Sequence, residues 1–236
     1  MSNEMAILTA TAATIGFLHT LLGPDHYLPF IVMAKANRWS KIKTAWITIL
    51  CGIGHVGSSV VLGMIGIAFG IAVSHLQFLE SFRSNIAAWL LIGFGLVYFI
   101  WGVRQAILNK PHTHQHIHQN GTVHSHTHTH AAEHVHVHDQ EKKNMTPWIL
   151  FTIFVLGPCE PLIPILMYPA AKNSIGGTIL VAGVFSIITI LTMVSIVFVS
   201  LFSINLLPTK TLERYMHALA GAAILLSGLG IQFLGL

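Results

Sequence analysis

The chain has 236 residues, 53% of them hydrophobic and only 8% charged, with a formal net charge of +4 and a mean hydropathy of +0.70. Soluble domains carry roughly 25% charged residues, so this balance excludes one and indicates an integral membrane protein. Two cysteines are too few for a disulfide scaffold, no run of short alternating strands suggests a β-barrel, and the basic excess is explained by a membrane without any nucleic acid.

Six apolar segments follow one another, at about 6–33, 44–73, 87–108, 147–170, 175–204 and 213–236. Each approaches the ~20 residues that a bilayer-spanning helix needs. The predicted fold class is therefore an all-α membrane protein with six transmembrane helices. The N-terminal MSNEM has no Lys or Arg, and no small-residue cleavage site precedes the first polar motif, so the first segment is expected to remain as a helix rather than to be removed.

That first segment contains LHTLLGPDHYLPF, which places His19, Asp25 and His26 inside an apolar run. An Asp at mid-membrane costs roughly 2.5–3.5 kcal/mol on insertion scales and persists only with a partner, a cavity or a function. His19 and His26 are seven residues apart, two helical turns, and share a face on a continuous helix. The second segment adds His55 within CGIGHVGSSVVLG, between glycines that allow close helix approach. Imidazole and carboxylate together suit Ni, Co or Zn better than Mg or Ca. His19, Asp25, His26 and His55 thus form a candidate metal site, against the alternative of hydrogen-bonded structural histidines.

Residues 109–146 break the apolar pattern and hold eleven of the sixteen histidines: His112, His114, His116, His118, His124, His126, His128, His130, His134, His136 and His138. The polar composition predicts a disordered loop, and its dense imidazoles predict capture of transition metals, with pH sensing as the rival reading. Beyond it, VLGPCEPLIPILM at 155–167 repeats the earlier word with Cys159 and Glu160 in place of Asp25 and His26. These two residues are candidates to complete or tune the metal shell; a plain buried thiol and a structural carboxylate are the alternatives.

The repeated Leu-Gly-Pro word, with TIL at both 48–50 and 178–180, divides the chain into residues 1–108 and 147–236 around the loop. Three helices per copy imply a 3+3 inverted repeat, with segments 1 and 4 broken at Gly-Pro and the site at the repeat interface. Lys35, Arg38, Lys41, Lys43, Arg104, Lys110, Lys142, Lys143, Lys210 and Arg214 fall on one side, and only Arg83 and Lys172 on the other. The positive-inside rule then puts the His-rich loop in the cytoplasm and both termini outside the plasma (inner) membrane.

LHTLLGPDH followed by GHVGSSVVLG resembles the nickel/cobalt transporter family, including its efflux and urease-accessory-type membrane proteins, although five residues rather than four separate His19 from Asp25. The resemblance implies that His19, Asp25, His26 and His55 handle metal. The Gly-Pro-Cys word at 157–159 resembles instead the transmembrane thiol carriers of cytochrome c biogenesis, which also have a 3+3 inverted repeat.

The expected function is a secondary transporter of divalent transition metals, nickel or cobalt, with efflux favoured over uptake. Its partners are the lipid bilayer and metal ions, with self-association left open. It needs no organic cofactor, and with no GxxxxGK[ST] phosphate loop the chain is not expected to be an enzyme. The alternatives are a thiol-disulfide or sulfur-handling membrane protein of the same architecture and a membrane metal sensor or store.

Overall fold

The computed structural model describes residues 3–108, 112–117, 123–128, 145–157, 159–172, 174–205 and 214–234. Its helices are α1 (Asn3–Leu22), α2 (Leu28–Ala36), α3 (Lys41–Ala68), α4 (Val73–Leu108), α5 (Thr146–Leu156), α6 (Leu162–Ala171), α7 (Ile175–Asn205) and α8 (Met216–Leu234). Five of them, α1, α3, α4, α7 and α8, are long and apolar enough to cross a bilayer.

The fourth apolar segment is not one continuous helix. It is the pair α5 and α6, of 11 and 10 residues, and at about 1.5 Å per residue neither alone reaches across a ~30 Å hydrocarbon core. The first segment is also interrupted: a 3-10 turn at Pro24–His26 separates α1 from α2. Pro24 has no N–H to give an α-helical ladder, and the chain takes up its helix again only at Leu28.

The third segment begins earlier than hydropathy predicts. α4 starts at Val73, so residues 74–86, expected as an external loop, are its first turns. The preceding turn is closed by Gly70 at φ 61 and by a hydrogen bond from Ile71 N–H to Gly66 C=O. In the His-rich region the structure has two antiparallel strands, β1 (His112–Ile117) and β2 (Val123–His128), where the composition predicts no regular structure. Their register sets His112 opposite His128, His114 opposite His126 and His116 opposite His124. His118, His130, His134, His136 and His138 lie outside the described residues.

The helices expose large apolar side chains such as Trp46, Phe78, Trp148, Ile175 and Phe202, while Thr20, Thr48, Ser59, Thr189 and Ser227 are buried. That reversal is what a lipid solvent demands, because tails compete with nothing polar. Hydroxyls inside the bundle turn back onto their own helices, as when Thr48 donates to Thr44 C=O at 2.9 Å and Thr20 to Gly16 C=O at 2.8 Å. α4 packs along α8, α1 along α7, and α3 against α5 and α7. The α4/α8 contact is backbone on backbone: a Cβ on Gly102 would stand 2.4 Å from Ala218 N, and one on Gly221 2.3 Å from Phe99 N. No side chain fits at these glycine positions.

Candidate metal centre

The break after α1 is what assembles the site. His19 sits in the last turn of α1, His26 ends the 3-10 turn, and His55 lies midway along α3. Ring centroids are 4.6 Å apart for His19 and His26, 4.9 Å for His26 and His55, and 6.5 Å for His19 and His55. One ligand atom from each comes within 4.8 Å of the others.

The second nitrogen of His26 fixes which atom is free. Its Nδ1 lies 3.1 Å from Gly23 C=O and 3.2 Å from Asp25 Oδ1. A carbonyl oxygen only accepts, so Nδ1 carries the proton and Nε2 carries the lone pair. His55 Nδ1 faces the end of α5, where a Cβ on Gly157 would stand 3.2 Å from both this nitrogen and Phe154 C=O. The Nε2 atoms of His19, His26 and His55 are all buried without a hydrogen-bond partner among the described residues. Burying a polar atom unsatisfied costs about 1–3 kcal/mol, and these three belong to imidazoles that pack against one another.

Gly23 is required here. A Cβ at that position would stand 2.6 Å from His26 Nδ1 and 2.9 Å from Asp25 Oδ1. The centre opens into a cavity of about 480 Å³ lined by His19, Asp25, His26, His55, Phe154, Gly157 and Glu160 among others. The structure therefore brings together three of the six candidate intramembrane ligands. Asp25 touches the protonated side of His26 and acts on the centre through that ring, as carboxylates behind metal-binding histidines do. Glu160 is exposed at the cavity wall. Cys159 is fully buried among Val56, Leu162, Val181 and Phe185, away from the imidazoles.

Two residues that hydropathy assigns to a loop hold the other break. Arg83 of α4 pairs with Glu80, one turn earlier, whose side chain is fully buried. Arg83 Nη2 donates to Ser58 Oγ at 2.6 Å, to Val155 C=O at 2.9 Å and to Gly157 C=O at 3.3 Å. Glu80 Oε2 accepts from Ser59 Oγ and from the Cys159 backbone N–H, both at 3.1 Å. Val155 C=O, Gly157 C=O and the Cys159 N–H at the end of α5 are thus satisfied by an ion pair from α4 and by Ser59 of α3, while Ser58 anchors Arg83. The i, i+3 spacing of Glu80 and Arg83 is the signal by which the sequence could have shown them. Pro158 lies outside the described residues.

The family described as "Cytochrome C biogenesis protein transmembrane region" matches residues 28–230. No curated protein and no solved structure matches the chain. This overturns the nickel/cobalt transporter assignment, which rests on two short words in the first two segments; the match extends over most of the chain and supports the second resemblance, the one carried by Gly157 and Cys159. His19, Asp25 and His26 precede the matched span, whereas His55, Cys51 and Cys159 fall within it. The chain belongs to the cytochrome c biogenesis protein transmembrane-region family.

Proposed function

We propose that the protein holds one transition-metal ion inside the membrane, at the His19, His26 and His55 centre of a cytochrome c biogenesis-type helical scaffold, as a metal store or sensor. The observation that carries this reading is the set of three buried, unpartnered Nε2 atoms on histidines whose ligand atoms lie within 4.8 Å of one another. Tetrahedral metal–imidazole bonds of about 2.0–2.1 Å place the nitrogens roughly 3.3–3.4 Å apart, so the imidazoles draw in from their separation of up to 4.8 Å when an ion binds. The nitrogen donor set suits Zn, Ni, Co or Cu, and the Asp25 carboxylate offsets part of the cation's charge through His26. The function is binding rather than catalysis. The His-rich segment between α4 and α5 adds weaker, multidentate sites.

The wider frame of this reading is an inverted repeat. α1 with α2, α3 and α4 form one unit, and α5 with α6, α7 and α8 the other. The pairing of α1 with α7 and of α5 with α3, with α4 against α8, supports a pseudo-twofold relation between them. The distribution of Lys and Arg supports a cytoplasmic His-rich segment.

Metal analysis of the purified full chain against His55→Ala tests the proposal. One equivalent should be lost in the variant, together with the intense visible bands of tetrahedral Co(II) in the cobalt-loaded protein, while the weaker loop sites remain. Equal content and equal spectra would refute it.

The family match favours a second reading, sulfur or thiol handling centred on Cys159, whose backbone is gripped at the α5/α6 break. Reduction of an external oxidised dithiol by proteoliposomes loaded with reductant should then stop in Cys159→Ser. Activity equal to wild type would remove this reading.

A further inference from the structure

A second cavity, of about 1160 Å³, lies at the opposite end of the bundle from the α3/α4 turn, where α2 ends, α3 begins, α7 ends and α8 begins. Lys35, Arg38 and Lys41, at the end of α2 and the start of α3, are among its lining residues, and among its described lining residues there is no carboxylate. Trp101 of α4 and Phe198 and Phe202 of α7 also line it. Phe202 is 67% exposed and Trp101 42% exposed, so that wall faces the lipid. The cavity is therefore cationic toward the helix ends and apolar toward the acyl region.

The cationic side is built into the backbone. Arg38 has φ 51, the only positive φ at a non-glycine position among the described residues. Glycine would make this turn between α2 and α3 without strain. The turn is pinned on both sides, by Trp39 N–H donating to Ala34 C=O at 2.9 Å and by Asn37 bridging Met33 C=O and the Tyr98 hydroxyl at 3.1 and 3.3 Å. Tyr98 in turn pairs with His217 Nδ1 at 2.8 Å, tying α2, α4 and α8 into one floor. An arginine held in a conformation that favours glycine, at the rim of a cavity whose described lining holds no carboxylate, has its use in the guanidinium.

We propose that this cavity is a binding site for an anionic phospholipid, with the headgroup phosphate on Arg38 and Lys41 and the acyl chains along Trp101, Phe198 and Phe202. Guanidinium and ammonium groups meet a phosphate with charge-assisted hydrogen bonds, and basic pockets between transmembrane helices suit such headgroups. The apolar wall selects a lipid over a free anion.

Native mass spectrometry of the full-length protein in detergent, with phosphatidylglycerol and phosphatidylcholine of identical chains, tests this. One phosphatidylglycerol should be retained at concentrations where phosphatidylcholine is lost. Each basic side chain removed should weaken retention about fivefold, so that Arg38→Gly with Lys41→Gln weakens it about 25-fold. Arg38→Gly alone should melt no lower than wild type, because glycine relieves the turn, which separates lost binding from lost fold. Equal retention of the two lipids, or unchanged retention in the double variant, would overturn the proposal. Displacement of the lipid by millimolar inorganic phosphate would also overturn it, in favour of a free-anion site.

Discussion

Replacing Arg83 with Met removes the cation that holds the α5/α6 break, and the loss is large because of what remains behind. Glu80 has 0% side-chain exposure, and Arg83 is the cation paired with it. Breaking a buried pair from one side costs about 3–5 kcal/mol. Met also leaves Val155 C=O and Gly157 C=O without the Arg83 donor. Neutralising both partners as Glu80→Gln with Arg83→Gln should be milder than the sum of the single changes. No uncompensated charge then remains: the first glutamine's carbonyl still accepts from Cys159 N–H, and the second's amide still donates to a carbonyl. The expected coupling is about 0.5–3 kcal/mol. Reversible unfolding in mixed detergent micelles, followed by ellipticity at increasing dodecyl sulfate, measures Arg83→Met and all four corners of the glutamine cycle: wild type, Glu80→Gln, Arg83→Gln and the double variant. If Arg83→Met lies within ~0.5 kcal/mol of wild type, or the double variant is simply additive, the ion pair does not hold the break.

The α4/α8 contact predicts that Gly221→Val prevents a stable fold, since a Cβ would stand 2.3 Å from a backbone nitrogen that cannot move aside. Gly93→Ala, with nothing within 4 Å, should instead be neutral or stabilise by up to ~1 kcal/mol through helix propensity; detergent melting temperatures that rank the two the other way would contradict the packing. Cys51 and Cys159 are free and buried, so a maleimide should label neither in the folded protein and both after denaturation, and stoichiometric native labelling would show that the thiols are reached from outside. Asp25→Asn keeps an oxygen that can accept from His26 Nδ1–H but removes the charge, and should lower metal affinity about 10–100-fold with the same saturating stoichiometry. Competition against a chromophoric chelator reads that affinity, and an unchanged Kd would detach Asp25 from the centre.

The candidate centre is legible in the sequence because polar groups in an apolar run stand out: LHTLLGPDH and the Gly-His of the second segment point to the three imidazoles that converge. The role of Asp25 is less legible, since spacing alone does not tell a ligand from a group that holds one. Residues 74–86 mislead for a different reason. Hydropathy counts Glu80 and Arg83 as two charges, but in the fold they form an i, i+3 pair turned inward, and α4 runs through them. The same error enters the charge count, where Arg83 stands as an external loop cation. In the His-rich segment the strand signal is present: His-x-His alternates with period two, the pleat of a strand, and six of those histidines lie on β1 and β2. Two words of nine and ten residues are too little to fix the family against a match over residues 28–230.

The two breaks begin from one sequence word and use it for opposite purposes. After α1 the released carbonyl of Gly23 accepts a hydrogen bond from His26 Nδ1–H, which leaves Nε2 of that ring without a partner among the described residues, beside two other imidazoles. After α5 the released carbonyls of Val155 and Gly157 take donors from Arg83, and the N–H of Cys159 goes to Glu80 and Ser59. At the first break the polar groups end on ligand atoms that still lack a partner among the described residues; at the second, both the freed carbonyls and the freed N–H end on protein. Cys159 follows from that difference. Its backbone is held while its side chain packs with Val56 and Phe185, so the position aligned with Asp25 contributes a fixed N–H in place of a carboxylate. Cys51 packs in the other apolar cluster, with Phe30, Leu150 and Met193. A thiol relay would have to bring these two sulfurs out of separate clusters, whereas the three imidazoles are already together.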